Sequence, residues 1–171
     1  SFMGALAAKL GWGLRTVDTE PPEGYLPERE PPEDFLDNAC RVAREAAISA
    51  GEPVRELHGQ VEQVEAKGSK ADIVTEADHQ SDRIIATAIE NEFPTHGIRS
   101  EESGRRDGES PYTWVVDPID GTGNFAHGNP NYSIAIALLD GENTPVVGVV
   151  YAPETEEMFY AIRGDGAYRN G

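Results

Sequence analysis

The chain has 171 residues, a formal net charge of −17, and 38% hydrophobic with 8% aromatic content. That length supports one domain with a real core, or one and a fraction, and the composition excludes a disordered chain. So acidic a surface excludes nucleic-acid phosphates and anionic membranes as partners, and no apolar run approaches the ~18–20 residues of a membrane span.

Lysine occurs only at Lys9, Lys67 and Lys70, so most of the basic side chains are Arg. An acidic, lysine-poor surface suits a halophilic protein, the alternative being an ordinary acidic one. The single Cys40 excludes an internal disulfide framework and fits a reducing, cytoplasmic setting.

The opening SFMGALAAKLGWGL is apolar but short. It has no basic leading region and no small-residue cleavage site, so it does not read as a signal peptide. Ser1-Phe2 ahead of Met3 reads as a cloning remnant. Residues 18–32, DTEPPEGYLPEREPP, are rich in Pro and Glu. Residues 1–32 are therefore expected to form an extended acidic arm, and the folded unit to begin at Glu33. Leu36, Ala39, Cys40, Ala43, Ala46 and Ala47 recur at helical spacing and predict a helix to Ala50, which Gly51 and Pro53 end. Residues 54–64 fit neither periodicity. Ile73-Val74 predicts a short strand. Thr75-Glu76-Ala77-Asp78 has the form of a capping box with Thr75 as N-cap. The helix it opens carries Ile84, Ile85, Ala88, Ile89 and Phe93 on one side and stops before Pro94.

Ile98 lies in a predicted strand that runs into Glu101-Glu102, and residues 105–111 read as a polar loop. Trp114-Val115-Val116 is a buried-strand signal that ends in Asp117. Beyond Asn129-Pro130, residues 132–139, 145–151 and 157–162 predict three further strands, with turns at Asp140-Gly141 and over 163–166. No internal repeat is present. Two helices followed by hairpin-like strands predict an α+β fold, two helices layered on a largely antiparallel sheet.

The chemistry concentrates in Asp117-Pro118-Ile119-Asp120-Gly121-Thr122-Gly123. Two carboxylates that converge at a strand end repel unless a cation joins them. A hard divalent metal with oxygen ligands, Mg2+ or Mn2+, answers that need. Zinc has no candidate cluster, because Cys40 is alone and His58, His79, His96 and His127 lack ligand spacing. The backbone N–H groups of residues 121–124 offer an anion site. A metal beside an anion site describes a phosphate-ester site. The plainer reading of the same residues is an Asp-Pro turn followed by an Asp-Gly turn.

WVVDPIDGTGNF (114–125) resembles the signature of the inositol monophosphatase family, the lithium-sensitive, Mg2+-dependent sugar and nucleotide phosphatases. Two further segments match in the same order: Lys67 with ADIVTEAD (71–78), and SEES (100–103). The tail from Val146 is similar to the family's middle strands, so the resemblance covers residues 34–171. It implies the N-terminal metal- and phosphate-binding part of a layered αβαβα sandwich over 33–171. It also implies Glu101, Asp117 and the carbonyl of Ile119 as ligands of a first metal, Asp117 and Asp120 as ligands of a second, and Glu101 again beside a third. Gly121 and Thr122 resemble the phosphate-binding N–H groups. Thr122, Glu101 and Asp78 would orient or deprotonate the attacking water, and Lys67 lines the same site. Asp72 and Thr75 read as structural, Glu102 as a neighbour, and Asn124 and Phe125 as packing residues.

The implied reaction is in-line attack of a metal-activated water on a phosphate monoester. The expected substrates are inositol 1-phosphate and fructose 1,6-bisphosphate, with 3′-phosphoadenosine 5′-phosphate as the alternative, and Li+ as inhibitor. The family continues into a second α/β domain with a Trp-Asp motif, and no Trp-Asp pair occurs here. A non-catalytic metal-binding or assembly module is therefore a second alternative. The remaining expected partner is a second copy of the chain, in a homodimer.

Overall fold

In the computed structural model the described residues are 33–63 and 67–171. The acidic arm expected over 1–32 lies outside them. The first helix, α1, runs over Glu33–Gln63 and continues through Pro53. It therefore does not end at Gly51. A Cβ at Gly51 would stand 2.5 Å from the Tyr151 ring, so glycine serves close approach of helix to sheet and not termination. Beyond Pro53, Val54 and Val61 are fully buried. Their packing carries the helix past the donor that proline lacks.

The second helix, α2, spans Lys67–Glu92. The strand expected at Ile73-Val74 is one of its turns. Thr75 sits in the helix interior, where its hydroxyl donates to the Ala71 carbonyl at 3.0 Å, so it is not an N-cap. β-branched residues tolerate a helix when an adjacent element packs on it, and α2 packs along α1. Its end before Pro94 matches the sequence.

Seven strands follow: β1 (Gly97–Ser100), β2 (Gly104–Arg106), β3 (Thr113–Asp120), β4 (Ser133–Leu139), β5 (Pro145–Ala152), β6 (Glu157–Ile162) and β7 (Gly166–Arg169), with a short helix α3 (Thr122–Ala126) after β3. They form one sheet in the order β2-β1-β3-β4-β5-β6-β7. Every neighbouring pair is antiparallel except β1 with β3. β2 overlaps the start of the stretch expected as a loop, and β7 begins at the last residue of the turn at 163–166. Both are edge strands with every residue exposed, so neither carries the apolar pattern that marks a strand. The two long helices pack on each other and on β3 through β6. Trp114, Val116, Ile134, Ile136 and Leu138 meet Ile85, Ile89 and Val54 in a single core. None of the helices described is long and apolar enough to cross a membrane.

Candidate active site

The acids converge for two topological reasons. β1 and β3 run parallel, with Ser100 paired to Val116. Both strands therefore finish at the same sheet end, and the Glu101 N–H donates to the Val116 carbonyl at 3.2 Å. Glu101 is thus held beside Asp117. The second reason is a bulge. Asp117 pairs with Ala135 and Asp120 with Ser133, so β3 carries one extra residue across that interval. In a regular strand, residues three apart face opposite sides. The extra residue re-aims the second acid toward the first. Pro118, which cannot donate to a ladder, is the sequence feature that could have marked that irregularity.

The electrostatics are those of crowded carboxylates. Asp117 is 3% exposed. Burial, and then Asp120, Glu101 and Asp78, push its carboxyl up to about 7, and the Ile119 N–H offsets this only in part. Asp78 is also raised to about 7, by burial first and then by Glu102 and Glu101. It lies in the interior of α2, facing the β1–β2 turn, so helix capping does not account for it. Glu102 instead meets His79 at 2.9 Å, as a neighbour would.

The turn after Asp120 is equally specific. Gly121 has φ 94° and ψ 32°. A Cβ there would stand 3.1 Å from the Asn131 carbonyl oxygen, so conformation and space both require glycine. The Thr122 hydroxyl donates to the Ile119 carbonyl at 2.9 Å. Its proton is committed, so its lone pairs remain available to accept from a water. The Ile119 oxygen keeps a second lone pair for a cation.

Phe125 anchors α3 from behind. It is fully buried, with its ring 5.2 Å from His58 and 5.1 Å from Tyr132. Glu154 ties both neighbours, accepting from the Tyr132 hydroxyl at 2.7 Å and standing 3.0 Å from His58 Nδ1. Asn124 is exposed, and its amide donates to the Asn131 carbonyl at 2.6 Å. His127 is exposed as well, with Nδ1 2.7 Å from the Gly123 carbonyl.

Glu101, Asp117, Ile119, Asp120, Gly121, Thr122 and Asp78 therefore share one corner. The side chain of Lys67 lies outside the described residues. The donor set is carboxylate and carbonyl oxygen, the chemistry of Mg2+ or Mn2+. Among the described residues no three His, Cys, Asp or Glu side chains stand together closely enough to hold a metal ion. Glu101 is exposed, unlike the buried Asp117. Sequence reasoning missed the bulge, the parallel pairing and the aromatic anchor around Phe125.

Crowded carboxylates beside a glycine turn, on helices over a mixed sheet, define a class that comparison makes specific. The model of the inositol monophosphatase family matches residues 36–171, and the chain belongs to that family. It is 42% identical over 136 residues to the inositol-1-monophosphatase of Synechocystis, covering 79% of this chain and 47% of the relative. It is 39% identical to the fructose-1,6-bisphosphatase/inositol-1-monophosphatase of Aquifex aeolicus, covering 80% and 52%. The solved inositol monophosphatase from Anabaena superposes with TM-score 0.67 at 36% identity, over 80% of this chain and 48% of that one. The chain thus spans about half the length of the curated relatives it matches.

Proposed function

We propose that this chain supplies the metal- and phosphate-binding half of a phosphomonoesterase acting on inositol 1-phosphate or fructose 1,6-bisphosphate. The observation that most supports this reading is the buried Asp117, crowded by Asp120, Glu101 and Asp78, directly ahead of the left-handed Gly121. Burial of mutually repelling carboxylates destabilises a fold unless a cation compensates it.

Glu101, Asp117, Asp120 and the Ile119 carbonyl would hold Mg2+, with Mn2+ as a substitute and Li+ as a competitor. When bound, the cations neutralise phosphoryl charge and lower the pKa of a coordinated water. The protein's own groups do the rest. The N–H groups of Gly121 and Thr122 bind the phosphate. The Thr122 oxygen accepts a hydrogen bond from the attacking water and aligns it with phosphorus. Asp78, whose carboxyl is pushed up to about 7 by burial and then by Glu102 and Glu101, would exchange a proton beside Glu101.

The test is phosphate release from each substrate, with and without Mg2+, by this chain and by the longest form of the protein. The expected result is Mg2+-dependent release that Li+ suppresses. A Glu101→Gln variant as active as wild type would end the assignment of the site.

A further inference from the structure

Two consecutive residues of α2, Ser81 and Asp82, reach into the sheet directly behind the acidic corner. Ser81 is completely buried and Asp82 is 6% exposed. The Ser81 hydroxyl donates to the Pro118 carbonyl at 2.9 Å, inside the bulge that separates Asp117 from Asp120. The Asp82 carboxylate accepts from the Ser100 hydroxyl. That hydroxyl accepts in turn from the Glu102 N–H at 3.2 Å. One residue therefore grips β3 between its two acids. The other grips the end of β1 and, through it, the turn that carries Glu101.

Asp82 is an expensive way to make one hydrogen bond. Among the described residues its side chain enters no ion pair. A buried, unpaired carboxylate costs more desolvation than a neutral acceptor would. In return its hydrogen bond fixes the Ser100 hydroxyl, and with it the Glu102 N–H, at the end of β1.

Resting on the site reading above, we propose that Ser81 and Asp82 are positioning residues which set the distance of Glu101 from the Asp117–Asp120 pair. They contact neither metal nor substrate. They act through two backbone segments, and a helix one layer below thereby sets the register of the ligands.

Mn2+ binding to the full chain, measured by calorimetry beside thermal unfolding in chelator, tests this. Asp82→Ala and Ser81→Ala are each expected to weaken Mn2+ binding by about 10-fold or more, the size of effect typical of groups that orient metal ligands. Asp82→Asn keeps an acceptor for Ser100 and is expected to recover most of the affinity. General loosening of the helix–sheet contact would lower the unfolding temperature without that recovery in affinity. Should Asp82→Ala fail to fold, Ser81→Ala decides alone: weaker binding supports the role and unchanged binding overturns it. Asp82→Ala binding like wild type, while Glu101→Gln binds weakly, overturns the positioning role and leaves the site reading intact. Equal weakening in Asp82→Ala and Asp82→Asn overturns it too, because charge and not the hydrogen bond would then matter. No Mn2+ binding by the wild-type chain, or full binding by Glu101→Gln, overturns the site reading and the positioning role with it.

Discussion

Strand β3 is buried from Trp114 through Ile119, with Trp114 near its start and Asp117 toward its end. At the first residue the polar atom is matched: the indole N–H donates to His96 Nδ1 at 3.0 Å, and the Trp114 and Phe93 rings lie 5.5 Å apart. At the second, an equally buried side chain has three acids as its neighbours. One end satisfies every rule of a stable interior, and the other violates the rule against crowding buried like charges. Folds concentrate such violations where they bind something, so the difference between the two ends locates function without reference to relatives.

The largest expected effect is at the matched end. Trp114→Ala should cost about 3–5 kcal/mol of stability through lost transfer energy and a cavity, read by denaturant unfolding. At the acidic end the sign reverses. Asp117→Asn should leave the chain more stable in chelator at pH 8, by about 0.5–2 kcal/mol, while abolishing Mg2+ binding. Loss of stability in that variant would erase the contrast.

The two ends also differ in pH dependence. Burial lowers the pKa of His96. Its contribution is present above the ordinary histidine range near 6.5 and is lost as pH falls through the lowered value. Asp78 and Asp117 are raised to about 7. Their contribution is present below the ordinary aspartate range near 4 and is lost as pH rises through about 7. Unfolding temperature against pH in chelator should therefore decline toward neutrality, and Asp117→Asn should flatten that decline. The smallest effect belongs to the surface. Arg41 and Glu45 pair at 2.8 Å with both side chains more than half exposed, and Arg41→Ala should change stability by less than about 0.5 kcal/mol.

The hairpins from β4 to β6 were legible because their apolar runs are bounded by turn residues. Asp140 shows why: its carboxylate accepts from the Glu142 and Thr144 N–H groups, at 3.0 and 2.9 Å, a local preference that the sequence carries by itself. The start of β3 was legible for the same reason, but the strand runs on past the expected end at Asp117 to Asp120. Gly51 and Pro53 misled because their local preference to stop a helix was overridden by packing: Gly51 lies against Tyr151, and Val54 and Val61 beyond Pro53 are buried in the core. Thr75 misled because the capping pattern says nothing about the α1 surface that holds α2. In the site, residue types and order could be read from the motif. Their convergence could not, because it depends on a parallel pairing and a bulge that exist only once β1, β3 and β4 have met.

The most direct measurement is the unfolding temperature of wild type and Asp117→Asn at pH 8, each in chelator and in saturating Mg2+. The account predicts a rise of several degrees for wild type on adding Mg2+, since a ligand at ~100 times its Kd contributes ~2.7 kcal/mol. For Asp117→Asn it predicts no change, from a higher starting point in chelator. A wild type indifferent to Mg2+, or an equal rise in both proteins, would contradict the claim that the crowded end of β3 is built to hold a cation.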